Sequence, residues 1–565
     1  MNKKWKCYDI DEEKVNKLMQ EYQVSKLVAM ILANRSVDIE SDMNKFLNPT
    51  RKDFYNPFLM PDMEKGVARI LQAIENKERI MIYGDYDADG ITSITVLKKF
   101  LQERNVEVGT YIPNRLDEGY GLNKEAIKSI FEKGYRLMIT VDCGISGIEE
   151  IEYANSLGIQ TIITDHHEPA ESLPNAYAVI DAKRKDNEYP FNQLAGVGVV
   201  FKLIQALSMK LELEEKEYLK YLDIVCVGTI SDIVPLVDEN RVIAKLGLKL
   251  IEVTKNIGLR TLLDTIGFKV INSTAISFGV APRINACGRM GHEQAALDLF
   301  LCEDAKEARQ IAEKLNAFNI ERQNKERQIF EQVVQKIEAE EKDKSCIILG
   351  GENWHHGIIG IVSSKVTELY FKPSILICFE GEEGKGSGRS IPGFDLHEAL
   401  MNCKESIQKF GGHAMAIGIT VEKDKFNQFK QEFENYAEKE QIGDIVPVIQ
   451  IDGEVGIKNI NIQDVQSLKI LEPFGEANKT PLFLFKNLKI NSIRALSEGK
   501  HLKLTLKDGN YLIDAIGFNM GNLSEEYLLD DKVDIVGTLD INSFNGRDSI
   551  QITIKDIRKS VGVMM

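Results

Sequence analysis

The stretch RIMIYGDYDADGITSITVLKKF, residues 79–100, decides how the rest of the chain is read. RIMIY reads as a buried strand, and from Ile91 onward the apolar residues recur at helical spacing. Between the two, Asp85, Asp87 and Asp89 alternate and Gly90 follows at once, which matches the first half of a calcium loop of the EF-hand kind. The second half fails. Its twelfth position is Val96 instead of a bidentate Glu, and a strand stands where a helix should lead in. Three carboxylates crowded at a strand end therefore need another partner.

Strand-like runs alternate with helical patterns through residues 79–236. YRLMITVD precedes GIEEIEYANSLG, and IQTIITDHH, YAVIDA and DIVCVGTISDIV follow. This alternation predicts an α/β fold with a mostly parallel sheet. Upstream, EEKVNKLMQEY and VSKLVAMILANR read as short helices without chemistry. Residues 303–343 contain no Gly or Pro and place Ala308, Ile311, Leu315 and Phe318 on one stripe, which predicts a long connecting helix. Unbroken it spans about 60 Å; a bend near Asn319 and a pair of ordinary helices fit the same pattern. SCIILGG and PSILICFE then begin a second α/β unit. Beyond residue 446, Leu502, Leu504 and Leu506 alternate with Lys503, Thr505 and Lys507, and turns fall at Asp508-Gly509 and Asn545-Gly546. That pattern predicts a small β barrel or sandwich. The expected division is 1–75 helical, 76–302 catalytic, 303–343 connecting helix, 344–442 second α/β domain and 443–565 β domain.

Bulk properties agree with several modules, since 565 residues exceed what one hydrophobic core can organise. A net charge of -16 argues against a protein that coats duplex through counterion release. It leaves room for a nuclease whose acids hold metal and whose few arginines hold a strand. The eight cysteines form no Cys-x-x-Cys pair, so neither a disulfide framework nor a thiolate zinc site is indicated. No apolar run is long enough for a bilayer and the first residues lack a signal-peptide pattern, so the expected compartment is the cytoplasm, with no membrane contact.

The polar residues fall after the expected strands. Asp85, Asp87 and Asp89 follow the first, Asp142 follows RLMITV, Asp165, His166 and His167 follow IQTIIT, and Asp232 follows IVCVGTIS. Any one of them alone is an ordinary cap or turn former. Converging at one sheet edge they repel one another unless cations neutralise them. Oxygen ligands with one or two imidazoles suit two Mn²⁺ or Mg²⁺ ions, the arrangement used for phosphoester hydrolysis.

GDYDADGITS, TVDCGIS, ITDHHEP and GTISDIVPL, in this order, resemble the four motifs of the DHH phosphoesterase superfamily. With YIPNRLDEGYGL, FGVAPRINACGRMG, WHHGIIGIVSSK, GSGRS, GGHAMAIG and LEPFGEANKTPLF added, the whole chain is similar to its single-stranded-DNA exonuclease branch. The resemblance implies a DHH catalytic domain, a DHH-associated domain and a C-terminal OB-fold. It implies hydrolysis of single-stranded DNA from the 5′ end to mononucleotides, in DNA repair and recombination, with two Mn²⁺ or Mg²⁺ ions. Asp87 and Asp142 are then ligands of one ion, and Asp89, Asp142, His166 and Asp232 of the other, with Asp85 in or beside the first shell. His167 faces the scissile phosphate as charge stabiliser or proton donor. Many members carry a His where this chain has Tyr83, which leaves Asp85 or water to complete that shell. Ser387, Gly388 and Arg389 are implied to hold the 5′-terminal phosphate, with His413 nearby and Arg115, Arg283 and Arg289 as further candidates; a salt bridge is the alternative for each of these three arginines. His355 and His356 are read as shaping the cleft mouth or touching nucleotide instead of binding a further metal. Lys503, Lys507, Tyr511, Phe544 and Arg547 are candidate strand contacts on the OB-fold. The expected partners are single-stranded DNA, a single-strand-binding protein and a DNA helicase, and the expected state is a monomer. Two rival readings are a phosphodiesterase for short oligoribonucleotides or cyclic dinucleotides, and an inactive scaffold at a replication fork. The extra β module counts against the first, and the full set of carboxylates and histidines against the second.

Overall fold

The computed structural model describes residues 3–35, 43–544 and 546–560. It divides into two compact units, one of Phe54–Val234 and Leu246–Ile445, the other of Met1–Asp53, Pro235–Lys245 and Val446–Met565.

The first unit holds two sheets. In one, the spatial order is Val108–Tyr111, Ile80–Gly84, Leu137–Val141, Gln160–Thr164, Ala178–Ile180, and every pairing is parallel. All five carboxyl ends therefore lie on one edge. The chain order reverses direction at Ile80–Gly84, whose neighbours are the next two strands on either side, and such a reversal opens a crevice above the sheet. Both Ile80–Gly84 and Leu137–Val141 are buried throughout, as the unbroken apolar runs IMIY and LMITV require.

DIVCVGTIS departs from expectation: it is helix Leu222–Ser231, not a strand. Residues 222–230 are all buried, and the helix packs on Ala88–Gln102 and Gly196–Lys210. A helix apolar all round has no polar face to mark its period, so β-branched content alone favoured the wrong element. Gly228 lets the helices touch, because a Cβ there would lie 2.2 Å from Thr92 Oγ1.

Helix Ala305–Lys336 runs through Asn319 without interruption and ends in a π-turn, Ile337–Glu341. At 32 residues it spans about 48 Å. It packs along its length, against Ile257–Ile266 and Ala281–Arg289 and against His356–Tyr370. The second sheet has the order Lys409–His413, Ala416–Glu422, Glu383–Arg389, Ser374–Glu380, Ile347–Glu352, and only its last pairing is parallel.

The other unit is built on a β barrel. Phe483–Leu496, His501–Asp508, Tyr511–Gly517, Arg547–Lys559 and Lys532–Phe544 pair in that order, and the last closes back on the first. Leu502, Leu504 and Leu506 face its core together with Val28 and Ile31 of helix Lys26–Asn34. The first hairpin turns one residue later than expected, since Asp508 pairs with Tyr511 and leaves Gly509-Asn510 as the loop. Asn545, and the side chain of Phe544, lie outside the described residues. Lys4–Cys7 pairs in parallel with Val448–Ile451, a strand that a four-residue stretch with two lysines does not announce.

Candidate metal centre and phosphate pocket

Four of the expected acids stand where strands end or a helix begins. Asp87 caps helix Ala88–Gln102, its Oδ1 accepting from the amides of Asp89 at 2.9 Å and Gly90 at 3.0 Å. Only glycine fits at Gly90, because a Cβ would lie 2.4 Å from the Asp85 carbonyl oxygen. Asp89, in the first helical turn, accepts from Gly196 N at 2.7 Å and Val197 N at 2.8 Å, the free amides that open helix Gly196–Lys210. The LAGVGVV stretch thus holds a carboxylate at the sheet edge, a role passed over in the sequence. Its Gly196 is required too, since a Cβ would stand 2.5 Å from Asp142 Oδ1.

Asp142 takes a left-handed backbone, φ 59°, a conformation that asparagine and aspartate tolerate better than other residues. Its Oδ1 is buried, lies 3.1 Å from His166 Nε2, and makes no hydrogen bond among the described residues. His166 Nε2 and Asp85 Oδ1 are buried and equally without a partner there. Buried polar atoms without partners are rare enough to need a reason, and here they converge. Asp85, Asp87 and Asp142 offer oxygens all within 4.8 Å of one another, and the ligand atoms of Asp89, His166 and Asp232 are as close. His166 Nε2 is 3.9 Å from Asp89 Oδ2 and 3.7 Å from Asp232 Oδ2.

The charges explain what is missing. Burial, then Asp87, pushes Asp89 up to about 7. Burial raises Asp85, Asp142 and Asp232 well above the carboxylate range, helped by the neighbouring acids. Asp232 also ends a helix, where the backbone dipole opposes an anion. Burial, then His167, holds His166 down to about 3, so its ring is neutral with a lone pair to give. Hard oxygen donors and one neutral imidazole fit small divalent cations, and the two ligand sets meet at Asp142 and His166.

His167 is turned by a residue that carried no assigned role. Asp165, fully buried, accepts from Ile145 N at 2.9 Å and from the His166 amide at 2.8 Å. Its Oδ1 also pairs with His167 Nδ1 at 2.7 Å. Burial pulls His167 down, but the bond and charge of Asp165 outweigh it and raise its pKa. The ring is 45% exposed, with the Tyr120 hydroxyl 3.4 Å from its Nε2. Asp181, after strand Ala178–Ile180, is another acid passed over: it is fully buried, Oδ2 has no partner among the described residues, and burial pushes it up to about 7. Tyr83 points elsewhere, donating to the Gly121 carbonyl at 2.9 Å and stacking on Tyr111.

Arg115, Arg289, Ser387 and Arg389 line one cavity of about 370 Å³, with His356 and Gly360. Arg389 Nη1 donates to Ser387 Oγ at 3.0 Å, and Arg289 Nη1 to the Gly357 carbonyl at 3.0 Å. Burial, then Arg115, brings Arg289 down to about 9, and the same two causes lower Arg389. Guanidinium groups held this close call for an anion. Arg115 also lowers Asp85, which ties this pocket to the acids. Asn285, from the PRINACGRM stretch, caps helix Ala88–Gln102 by accepting from Ala88 N at 2.8 Å.

Three expected residues stand apart from the pocket lining. Arg283 is bound to Asn316 Oδ1 at 3.0 Å and to the Gly279 carbonyl at 2.8 Å; six residues before Arg289, it lies about 240° round the helix. Gly388 packs in its sheet against Ile375 and Ile417. His413 is exposed and accepts from Met415 N at 3.3 Å. At His355 and His356 no metal-holding group forms among the described residues.

Family models match the chain in three places: the DHH family N-terminal domain over residues 79–229, the DHHA1 domain over 343–439 and the RecJ OB domain over 451–556. The single-stranded-DNA-specific exonuclease RecJ of Bacillus subtilis is 38% identical over 559 residues, covering 98% of this chain and 70% of its own length. This chain belongs to the RecJ family. RecJ of Escherichia coli is 33% identical over 520 residues, covering 88% of this chain and 90% of its own. The crystal structure of Thermus thermophilus RecJ in complex with Mn²⁺ matches with a TM-score of 0.87 at 29% identity, over 99% of this chain and 80% of that one. The Mg²⁺ complex of the same RecJ matches with a TM-score of 0.80 at 26% identity, over 99% and 79%. The acids and His166 therefore lie in the RecJ stretch matched by the DHH model, Asp232 three residues past its end.

Proposed function

We propose that this chain is a two-metal exonuclease that degrades single-stranded DNA from the 5′ end to mononucleotides, in DNA repair and recombination. The observation that carries the reading is the pair of ligand sets meeting at Asp142 and His166, whose facing atoms are buried and unpartnered among the described residues, in a chain of the RecJ family. Asp85, Asp87 and Asp142 would hold one Mn²⁺ or Mg²⁺, and Asp89, Asp142, His166 and Asp232 the other. Such ions supply an activated water and neutralise phosphate charge. His167, its Nδ1 held by Asp165, presents Nε2 to the scissile phosphate as charge stabiliser and proton donor. Arg115, Arg289, Ser387 and Arg389 grip the terminal 5′-phosphate by charge-assisted bonds, which supports the polarity. In this division of labour 76–302 carries the ligands, 303–343 the connecting helix, 344–442 the phosphate grip and 443–565 the strand-binding barrel.

The setting we propose is a cytoplasmic monomer, with a DNA helicase and a single-strand-binding protein delivering its strand. Eight free cysteines support a reducing compartment, and among the described residues no helix is long and apolar enough to cross a membrane. The test sets 5′-phosphorylated single-stranded DNA, duplex DNA and a short RNA side by side with Mn²⁺. Selective loss of the single-stranded DNA is expected, and equal rates on all three overturn the assignment.

A further inference from the structure

Beside the arginine pocket lies a second cavity, of about 660 Å³. The two share walls. His356 lines both, and consecutive residues pass from one to the other at Arg115 and Leu116 and at Lys385 and Gly386. The volume is that of a small-ligand site.

Its chemistry differs from its neighbour's. The residues lining the arginine pocket include no acid among those described, whereas here Lys325 and Lys385 are balanced by Asp117 and Glu380. The rest of the lining is rich in neutral polar groups. Trp354 donates to Gln332 Oε1 at 2.9 Å, which fixes that amide, and Gln328 lies one helical turn before it. His355 and His356 stack at 6.1 Å with planes 16° apart, and His355 Nδ1 is buried without a partner among the described residues. Burial, then a nearby lysine, lowers both rings, so they are neutral at pH 7. Flat neutral rings and a fixed amide, in a lining whose lysines are balanced by acids, match a nucleobase and its sugar better than a phosphate.

We infer that this cavity receives the first nucleoside of a strand that lacks a 5′-terminal phosphate, while the phosphate on its 3′ side takes the arginine pocket. The inference rests on the exonuclease reading of the adjoining acids. It shifts the strand by one nucleotide, so the first product from such an end is a dinucleotide. The step is hydrolysis. Hydroxide from water bonds to phosphorus, the bond to O3′ breaks, and the proton ends on O3′ of the departing dinucleotide. The shortened strand keeps the phosphate at its new 5′ end and thereafter yields mononucleotides.

The experiment follows product sizes over time from one DNA sequence carrying either a 5′-phosphate or a 5′-hydroxyl, with Mn²⁺, for the full chain and for Gln328→Trp. Gln328 is exposed on the long helix, so the indole fills the cavity without disturbing a core. The full chain is expected to release one dinucleotide and then mononucleotides from the hydroxyl end. In the variant that end is expected to slow by at least about tenfold while the phosphorylated strand is unaffected. A mononucleotide as first product from the hydroxyl end, or equal slowing of both strands by Gln328→Trp, overturns the inference. Failure of the full chain to digest the phosphorylated strand overturns the exonuclease reading itself, and the inference with it.

Discussion

Asp142 Oδ1 and His166 Nε2 face each other at 3.1 Å, both buried, with no hydrogen bond made by either among the described residues. A neutral imidazole lone pair opposite a carboxylate oxygen is repulsive unless a cation lies between or beside them. Asp142→Asn keeps the left-handed backbone and replaces a carboxyl whose ionisation burial and the neighbouring acids oppose. It should raise the melting temperature of the metal-free protein. The stabilisation by Mn²⁺, about 2.7 kcal/mol at a hundredfold excess over Kd, should shrink, and digestion of single-stranded DNA should fall by about a thousandfold. Thermal unfolding with and without Mn²⁺ checks the first two, and an unchanged metal response contradicts the ligand assignment.

Asp165 holds His167 through Nδ1. Asp165→Asn frees the ring and permits the other tautomer, so kcat should drop by about a hundredfold. Residues that act as a unit are not additive, so Asp165→Asn with His167→Ala should be no slower than His167→Ala alone. A multiplicative loss in the double variant argues against their acting together.

Arg389 and Arg283 separate the phosphate grip from ordinary structure. Arg389→Ala should slow digestion of a 5′-phosphorylated and of a 5′-hydroxyl strand alike, by about tenfold or more, because either presents a phosphate to the pocket. Arg283 is tied to Asn316 and the Gly279 carbonyl, and Arg283→Ala should leave both rates as they are. The rates on the two ends, measured for each variant, decide; slowing by Arg283→Ala as large as by Arg389→Ala contradicts the assignment.

Asp181 links burial to pH. Its folded pKa is about 7, raised by burial from an ordinary 3.8, so between those values the native state binds more protons than the unfolded one. Stability is then lost as pH rises from about 4 through 7. Asp181→Asn removes this term, and its stabilising effect should grow by about 2 kcal/mol between pH 5 and pH 8. Denaturant unfolding at both values tests the sign; a gain that shrinks with pH refutes it.

What the residues determined by themselves is local. Period and turn chemistry mark the strands IMIY and LMITV, the helix capped by Asp87, the long Gly-free helix and the alternating barrel strands, because each depends on neighbours within a few positions. The aspartates at strand ends were legible for the same reason, and the motif resemblance told which of them belong together. The tertiary structure decided the rest. DIVCVGTIS is a helix because other helices bury it on every side, Asp89 is held by amides 107 and 108 residues away, and Arg115, Arg289 and Arg389 meet across two sheets' worth of chain. Arg283 and Arg289 share one short stretch of sequence, yet only the second lines the pocket, because a helix turns the two apart. Side-chain direction and long-range contact set those roles, and neither is written in residue spacing along the chain.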